Sequence, residues 1–512
     1  MRNSQKSREQ DMIIQINKTY VRRLLISRMR GILSQPSPSA SRDERFQGLI
    51  DAAGEAAEFV EERASEGFLF VVLCHIDCDG LASGAIMGRA LMRMNASFQI
   101  RAIKQFEEAA LKECFGESRV IILTDMGSGN LDTLSKIDGS ERVVILDHHQ
   151  PMLDYVEEFK GIHVNPHFFG LNGASDISGS GIAYITAKSS NPLNIDLSPL
   201  AVVGAIGDMQ NKNEERRLIG LNETIVKDAV ESGLLKIEKG LMMPGRETKR
   251  LHEALALMLT PFIPGISGEE DKALVFLTNI DIPVKTGQFW RTPADLTKDE
   301  EVKLLDNLTA YMASKGVAQE EIMQLIGESY VLTNEQRFTP LRDCREYSTL
   351  LNACGRLGKY GLGIAIAMGD RSKGTLNEAY VTLDTYRKNL ATLIDGVFQN
   401  PSRLINTDEL VIINGSGLVP EALLSTVASI LSSNYAKPLI AFTDTSEGMV
   451  KVSARAPRTI VNSGVNIAYV IAEAAKSVGG TGGGHDVAAG ALIPVERRSE
   501  FLRIVSSLLR KP

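Results

Sequence analysis

Val143-Val144-Ile145-Leu146-Asp147-His148-His149-Gln150 decides how this chain is read. Four apolar, mostly β-branched residues run straight into an acid and two imidazoles, with Pro151 just beyond. The apolar run predicts a buried strand, and the polar triplet then sits where that strand ends. Three other stretches share the design. Phe68 to Cys74 ends in His75-Ile76-Asp77-Cys78-Asp79-Gly80, Val120 to Thr124 ends in Asp125, and Leu200 to Ile206 leads to Gly207-Asp208. In parallel α/β sheets, ligands bind beyond the carboxyl ends of the strands. The expectation is one pocket holding His75, Asp77, Asp79, Asp125, Asp147, His148, His149 and Asp208.

Outward from these strand ends, residues 46–235 alternate strand and helix. Leu49 to Arg63 predicts a helix, followed by strand 68–74 and a helix from about Leu81 to Met94. Strand 98–103, a helix near 105–113, and strands 119–124, 142–147 and Ile162–Val164 continue the series. Helices begin near Gly181 and Pro199. Such βαβ order implies a parallel sheet covered by helices on both faces. Residues 236–404 turn helical, with helices expected at Glu247–Leu259, Lys298–Lys315, Glu320–Glu328 and Asp343–Leu357. Thr375–Gln399 is long enough to connect two lobes. Residues 405–512 resume α/β alternation, with strands at Leu410–Ile413, Leu439–Phe442 and Val450–Arg455. Helices at Glu421–Ser432 and Ile467–Ser477 accompany them. The fold class is therefore α/β and two-lobed: a parallel-sheet domain and a smaller C-terminal α/β domain, joined by a helical insertion and a long helix.

The 512 residues carry a net charge of −7, which excludes a uniformly basic nucleic-acid binder. A nucleic-acid site must be a local basic groove. Residues 1–45 form a separate basic extension, with a helix expected at Ile13–Leu33 carrying Arg22, Arg23, Arg28 and Arg30. A solvated packing helix is the plain reading, and a phosphate-touching arm the sharper one. Five cysteines without a CxxC pair argue for a reducing compartment and against a disulfide or zinc framework. No apolar run reaches the roughly 20 residues of a membrane span, and the N-terminus lacks a signal-peptide core. The expectation is a cytoplasmic protein.

Several carboxylates converging in one cleft repel one another, and burying them ionised and unpaired costs several kcal/mol. A divalent cation resolves this. Oxygen ligands mixed with imidazole suit Mn²⁺, then Mg²⁺. Two ions roughly 3.5–4 Å apart can activate a water and stabilise the leaving oxygen of a phosphoester. In His75-x-Asp77-x-Asp79, alternate residues of an extended segment face the same way. An isolated Asp at a strand end is more often a helix cap than a ligand. Four such ends together, two of them bearing histidine, favour the ligand reading.

These residues carry a resemblance. His75-x-Asp77-x-Asp79-Gly80, Asp125, Asp147-His148-His149 and Gly207-Asp208 resemble the four motifs of the DHH phosphoesterase superfamily. Gly482-Gly483-Gly484-His485 resembles the signature of the DHH-associated C-terminal domain. Leu351-Asn352-Ala353-Cys354-Gly355-Arg356 is similar to a block of RecJ exonucleases, and the whole looks most like archaeal RecJ-like proteins. The resemblance implies that His75 and Asp77 hold one metal and that Asp79, His148 and Asp208 hold the other, with Asp125 bridging. It implies that Asp147 orients a histidine and that His149 meets the scissile phosphate or the attacking water. Asn352, Arg356, Arg455, Gly482, Gly483, Gly484 and His485 would bind substrate. A guanidinium fork suits phosphate, and a Gly-rich loop lets backbone N–H groups approach an anion.

The implied function is an exonuclease on single-stranded DNA or RNA, using two Mn²⁺ or Mg²⁺ ions and associated with replication or repair. GINS-type replisome proteins are the implied partners, through the insertion. The competing readings are a phosphodiesterase for short oligonucleotides or cyclic dinucleotides, and a replisome scaffold with little activity. Trp290, the only tryptophan, reads as a packing or partner-contact residue before a base-stacking one. Asn165-Pro166-His167 reads as a structural turn outside the site.

Overall fold

The computed structural model describes residues 41–510 apart from 105, 107 and 433. The expected basic helix at Ile13–Leu33 lies outside the described residues. The chain divides into two units. One runs to His75 and adds Ser83–Ala201 and Ile219–Ile225; the other comprises Ile76–Ala82, Val202–Leu218 and the chain from Val226 onward.

The first unit opens with helix α1 (Arg42–Ser65), started by a reciprocal cap between Ser41 and Glu44. Strand β1 (Leu69–His75), helix α2 (Cys78–Arg93), β2 (Ser97–Ile103), β3 (Arg119–Thr124), β4 (Val143–Leu146) and β5 (Ile162–Val164) follow. The five strands form one sheet in the order β2-β1-β3-β4-β5, parallel throughout. On one face Val71, Leu73, Ile121, Leu123, Val143 and Ile145 pack with Leu111, Leu131, Leu134 and Phe159. Helix α3 (Gly179–Ser190) packs on α1 and reaches β3 and β4. Burying each such aliphatic side chain stabilises the unit by about 1.5–3 kcal/mol. The parallel ladder brings the carboxyl ends of β1, β3 and β4 to one edge, with Cys74 in register with Thr124 and Thr124 with Leu146.

Leu200–Ile206 departs from its place among the strand ends. It belongs to helix α4 (Ser198–Gly207), as the helix start near Pro199 anticipates. The segment is buried on every side, so its apolar run carries no helical period. Asp208 thus follows a helix.

In the second unit, α5 (Leu221–Glu231), which the first unit shares, leads into β6 (Leu235–Leu241). Then come α6 (Leu251–Ala256), α7 (Glu270–Asn279), the ribbon of β7 (Lys285–Thr286) and β8 (Phe289–Trp290), α8 (Lys298–Ser314) and β9 (Ile326–Leu332). Leu251, Leu255, Leu277, Leu304, Leu308 and Met312 share one core. The helix expected over Glu320–Glu328 is not formed. A short helix, Gln319–Ile322, gives way to β9, which pairs antiparallel with β6. The helix expected over Glu247–Leu259 is confined to α6, because the buried Glu247 is used as a loop anchor: its backbone N–H donates to Glu346.

Helices α9 (Cys344–Arg356), α10 (Tyr360–Ala367) and α11 (Lys373–Phe398) precede the C-terminal sheet. Its strands are β10 (Leu404–Asn406), β11 (Val411–Asn414), β12 (Leu439–Asp444), β13 (Met449–Arg455), β14 (Thr481–His485) and β15 (Ala488–Pro494). They lie in the order β10-β11-β12-β13-β15-β14. Helices α12 (Glu421–Ser432), α13 (Ile467–Ser477) and α14 (Arg498–Leu509) accompany the sheet, and Val450, Val452, Ile471, Ile493 and Phe501 are central to its core. The glycines 482–484 form edge strand β14 instead of a loop. Among the described residues, no helix is long and apolar enough to cross a membrane.

Candidate metal centre

Asp125 is the hub of the first unit's polar edge. Its N–H donates to Leu146 O at 2.9 Å, so the ladder runs one step beyond β3. Its backbone then turns into the left-handed region (φ 59°), which non-glycine residues seldom occupy outside functional or tightly held turns. The buried carboxylate presents Oδ1 to His148 Nε2 at 3.1 Å and Oδ2 to His75 Nδ1 at 3.9 Å. His149 Nδ1 is also 3.9 Å from Oδ1. One acid therefore lies between imidazoles from two other strand ends.

His148 tests whether the set fits a cation. Its Nδ1 lies 2.6 Å from the Gly173 carbonyl, which can only accept, so Nδ1 carries the proton. In the neutral ring Nε2 then presents a lone pair toward Asp125 Oδ1. Two acceptors at that separation repel unless a proton or a metal ion is shared with them. Asp125, His148 and His149 offer ligand atoms within 4.8 Å of one another. Imidazole with carboxylate oxygen, and no thiolate, is a donor set for Mn²⁺ or Mg²⁺.

Asp147 turns its carboxylate to Ser128 and His149. Its Oδ2 accepts the Ser128 N–H at 2.9 Å, and its Oδ1 accepts both His149 Nδ1 at 2.8 Å and His149 N–H at 3.2 Å. Burial opposes the Asp147 charge, yet His149, His148 and the Ser128 N–H together hold its carboxyl well below the usual carboxylate range. Burial likewise opposes charge on His149, but Asp147 raises its pKa to about 9. Asp147 thus fixes the ring of His149.

Sequence reasoning missed the layer beneath. Asn165, placed outside the site, donates from Nδ2 to Ser128 Oγ and to the His149 carbonyl, both at 2.9 Å. Ser128 Oγ lies 2.8 Å from His163 Nε2. Gly173 must be glycine, since a Cβ there would lie 1.9 Å from the His148 carbonyl oxygen. The usable signal was Asn-Pro directly after a strand, a helix N-cap pattern.

In the second unit, the turn Ile76–Ala82 carries Asp77 and Asp79. Asp77 Oδ1 caps α2 by accepting the Gly80 N–H at 3.1 Å. Asp79 is buried, Asp208 is exposed, and their carboxylate oxygens lie within 4.8 Å of one another. Asn352, expected to bind substrate, accepts the Cys78 N–H through Oδ1 at 3.0 Å, so its oxygen fixes the turn. Cys78 Sγ points to the Val203 carbonyl at 3.5 Å, and all five cysteines are buried.

Arg356 ends α9 and faces Arg455 closely enough to repel it. Burial, and then Arg356, pull the Arg455 pKa down to about 10. Arg455 is braced by Ser429 Oγ, Ser453 Oγ and the carbonyls of Ala454 and Ser425. Gly482, Gly483 and Gly484 lie exposed on β14 with His485 at its end. The faces of Trp290 are engaged locally, with Arg250 at 4.8 Å and Lys285 at 4.1 Å from the ring centroid.

Three family descriptions match the chain in order. The DHH family N-terminal domain covers residues 69–205, the DHH-CID domain 243–326 and the DHHA1 domain 411–511. An uncharacterized protein of Methanocaldococcus jannaschii, MJ0831, is 31% identical over 444 residues, spanning 86% of this chain and 92% of that one. The chain belongs to the DHH superfamily. Its fold is RecJ-like. RecJ of Thermus thermophilus with Mn²⁺ superposes with a TM-score of 0.56 at 16% identity over 90% of this chain. The match covers 55% of that RecJ, so this DHH protein spans about half its length. CDC45 of Entamoeba histolytica superposes with a TM-score of 0.61 at 13% identity, covering 90% of this chain and 99% of that one. DHH proteins are typically metal-dependent hydrolases. The Thermus RecJ has been solved with Mn²⁺ and with Mg²⁺.

Proposed function

We propose that this DHH protein is a metal-dependent exonuclease that hydrolyses the phosphodiester bonds of single-stranded DNA or RNA. The observation that carries the reading is Asp125, with one oxygen toward His148 and the other toward His75. A carboxylate shared by two cations would take such a pose. His75 and Asp77 would hold one ion, and Asp79, His148 and Asp208 the other, with Asp125 common to both. When bound, such ions stabilise charge on the phosphoryl oxygens and lower the pKa of a water. Asp147 would hold the His149 ring, kept protonated near neutral pH, ready to donate to a phosphate oxygen or to the attacking water. Arg356, and the N–H that Arg455 does not spend on its own domain, would hold a neighbouring phosphate. Residues 46–235 would carry catalysis and 405–512 strand binding. The insertion within 236–404 would carry any replication partner of the GINS type, and residues 1–45 would be a basic arm.

The test is a singly end-labelled single strand incubated with Mn²⁺. Stepwise shortening is expected, reporting polarity as well. Asp125→Ala should reduce the rate at least about a hundredfold with the fold intact by circular dichroism. A rate within about tenfold of wild type contradicts the shared carboxylate. If only dinucleotides in a chain-length series are cut, the protein is a short-oligonucleotide phosphodiesterase.

A further inference from the structure

A second group of cations lies in the turn after Asp208. Lys212, Arg216 and Arg356 have no acidic partner and no side-chain hydrogen bond among the described residues. An acidic protein that leaves three cations unpaired within one unit has positioned them for something else.

The turn is built to hold Lys212 and Arg216. The Lys212 N–H donates to Met209 O, and the Arg216 N–H to Asn213 O. Asn213 Nδ2 donates to the Arg217 carbonyl at 2.7 Å. Arg216 adopts the left-handed region (φ 49°), and its carbonyl accepts the Glu328 N–H of β9 at 3.1 Å. Gly327 makes room, since a Cβ there would lie 2.7 Å from Arg216 Cβ. Arg345 of α9 is fixed to the same strand through Ser329 Oγ at 2.8 Å. Glu215 pairs outward with Arg217 and leaves Arg216 alone.

These cations feel one another in sequence. Burial, with repulsion from Arg345, lowers the Arg216 pKa to about 10. Lys212 is exposed at the surface, and local desolvation, then repulsion from Arg216 and Arg455, pull its pKa below the ordinary lysine value. Arg455 is in turn repelled by Arg356. Of these, Arg345 has an acidic neighbour, Asp343 Oδ1 at 3.8 Å from its Nε, so among the described residues the uncompensated positive charge lies on Arg216, Lys212, Arg455 and Arg356. Repulsion of this kind is relieved by a ligand with successive negative charges.

We propose that Lys212 and Arg216, backed by Arg345, form a further phosphate station that binds the backbone of a single strand beyond the phosphate held by Arg356 and Arg455. This rests on the single-strand reading above and adds that the protein selects long strands over short ones. One or two phosphates would reach only the Arg356–Arg455 end.

The experiment measures binding by the full-length protein without metal, so that nothing is cleaved. Fluorescent oligothymidylates of about four and about twenty nucleotides are titrated by anisotropy over a range of KCl. For the double variant K212Q/R216Q, affinity for the long strand should fall about tenfold or more. The slope of log K against log salt should drop by about 1.4, roughly 0.7 per lost contact. The short strand should bind within about twofold of wild type. The charge-preserving K212R/R216K should bind like wild type, and K212Q alone should show about half the slope change.

Unchanged long-strand affinity and slope in both Gln variants would overturn the station. So would an effect seen with inorganic polyphosphate as the probe and not with oligothymidylate. Because the readout is binding, the two readings fail separately. A strand that is bound with the expected slope change but never cut sinks the nuclease and keeps the station. A strand that is cut with no slope change does the reverse.

Discussion

Asn165 has no charge and belongs to no metal motif, yet the DHH triplet depends on it. It is fully buried, donates to Ser128 Oγ and the His149 carbonyl, and accepts the His167 N–H. Asn165→Ala leaves those buried groups unsatisfied, which should cost about 1–3 kcal/mol in chemical denaturation. It should also weaken Mn²⁺ by about tenfold or more in calorimetric titration, as loss of outer-shell support typically does. Wild-type Mn²⁺ affinity in the variant would make Asn165 a purely structural cap. The contrast with Asp147-His148-His149 explains what was legible at this scale. Acids and imidazoles announce themselves by residue type and by their place at strand ends. Asn165 acts through backbone and hydroxyl partners 16 and 37 residues away, and nothing in its own neighbourhood reveals them. Gly173 is similar, since its requirement appears only once the His148 carbonyl lies against it.

Elements were legible where local pattern and tertiary context agree. Strands β1, β3 and β4 are apolar runs rich in Val and Ile and buried on both faces, and each announces itself. Strand β9 did not, because its partner β6 lies about ninety residues earlier and no local period encodes that pairing. Helix α4, buried all round, carried no amphipathic stripe. Helix α9 supports a prediction opposite in sign to propensity. Gly to Ala inside a helix usually stabilises by up to about 1 kcal/mol. At Gly355 a Cβ would lie 1.7 Å from the Ile76 carbonyl, against the turn that carries Asp77 and Asp79. Gly355→Ala should therefore destabilise by about 1–3 kcal/mol in denaturant titration; a more stable variant would show that the turn gives way freely. In the DHH-CID region, Arg291 donates to Glu300 through both terminal nitrogens, at 2.8 Å for Nη1. That pairing pulls the Glu300 pKa down to about 2. A folded pKa below the unfolded value of roughly 4.3 means that the stabilisation is complete above that pH and disappears as pH falls through about 2. The unfolding free-energy difference between wild type and Glu300→Gln should accordingly be constant near neutrality and shrink between about pH 4.5 and 2. A difference that does not change with pH would remove the ion pair as its source.

For the whole molecule, the proposed cation set draws on segments far apart in sequence: 75–79, 125, 147–149 and 208. Most of these positions are buried and tied into turns, so substituting them disturbs the apo fold as well as the metal. Asp208 is the exception. It is exposed, follows α4, and its carboxylate accepts from Gln210 Nε2 at 2.9 Å. Asp79 and Asp208 also repel each other in the absence of a cation. Asp208→Asn should therefore leave the metal-free melting temperature unchanged or slightly raised. Mn²⁺ binding to the native state alone stabilises by RT ln(1 + [L]/Kd), about 2.7 kcal/mol at a hundredfold excess over Kd. In wild type that appears as a rise in melting temperature with Mn²⁺ that EDTA reverses. The same titration on Asp208→Asn should need about tenfold or more Mn²⁺ for an equal rise. This readout involves no substrate, so it reports on the ligand set even if the nuclease reading is wrong. An unshifted Mn²⁺ response in Asp208→Asn would remove Asp208 from the set. The second ion would then have only Asp79, His148 and the shared Asp125.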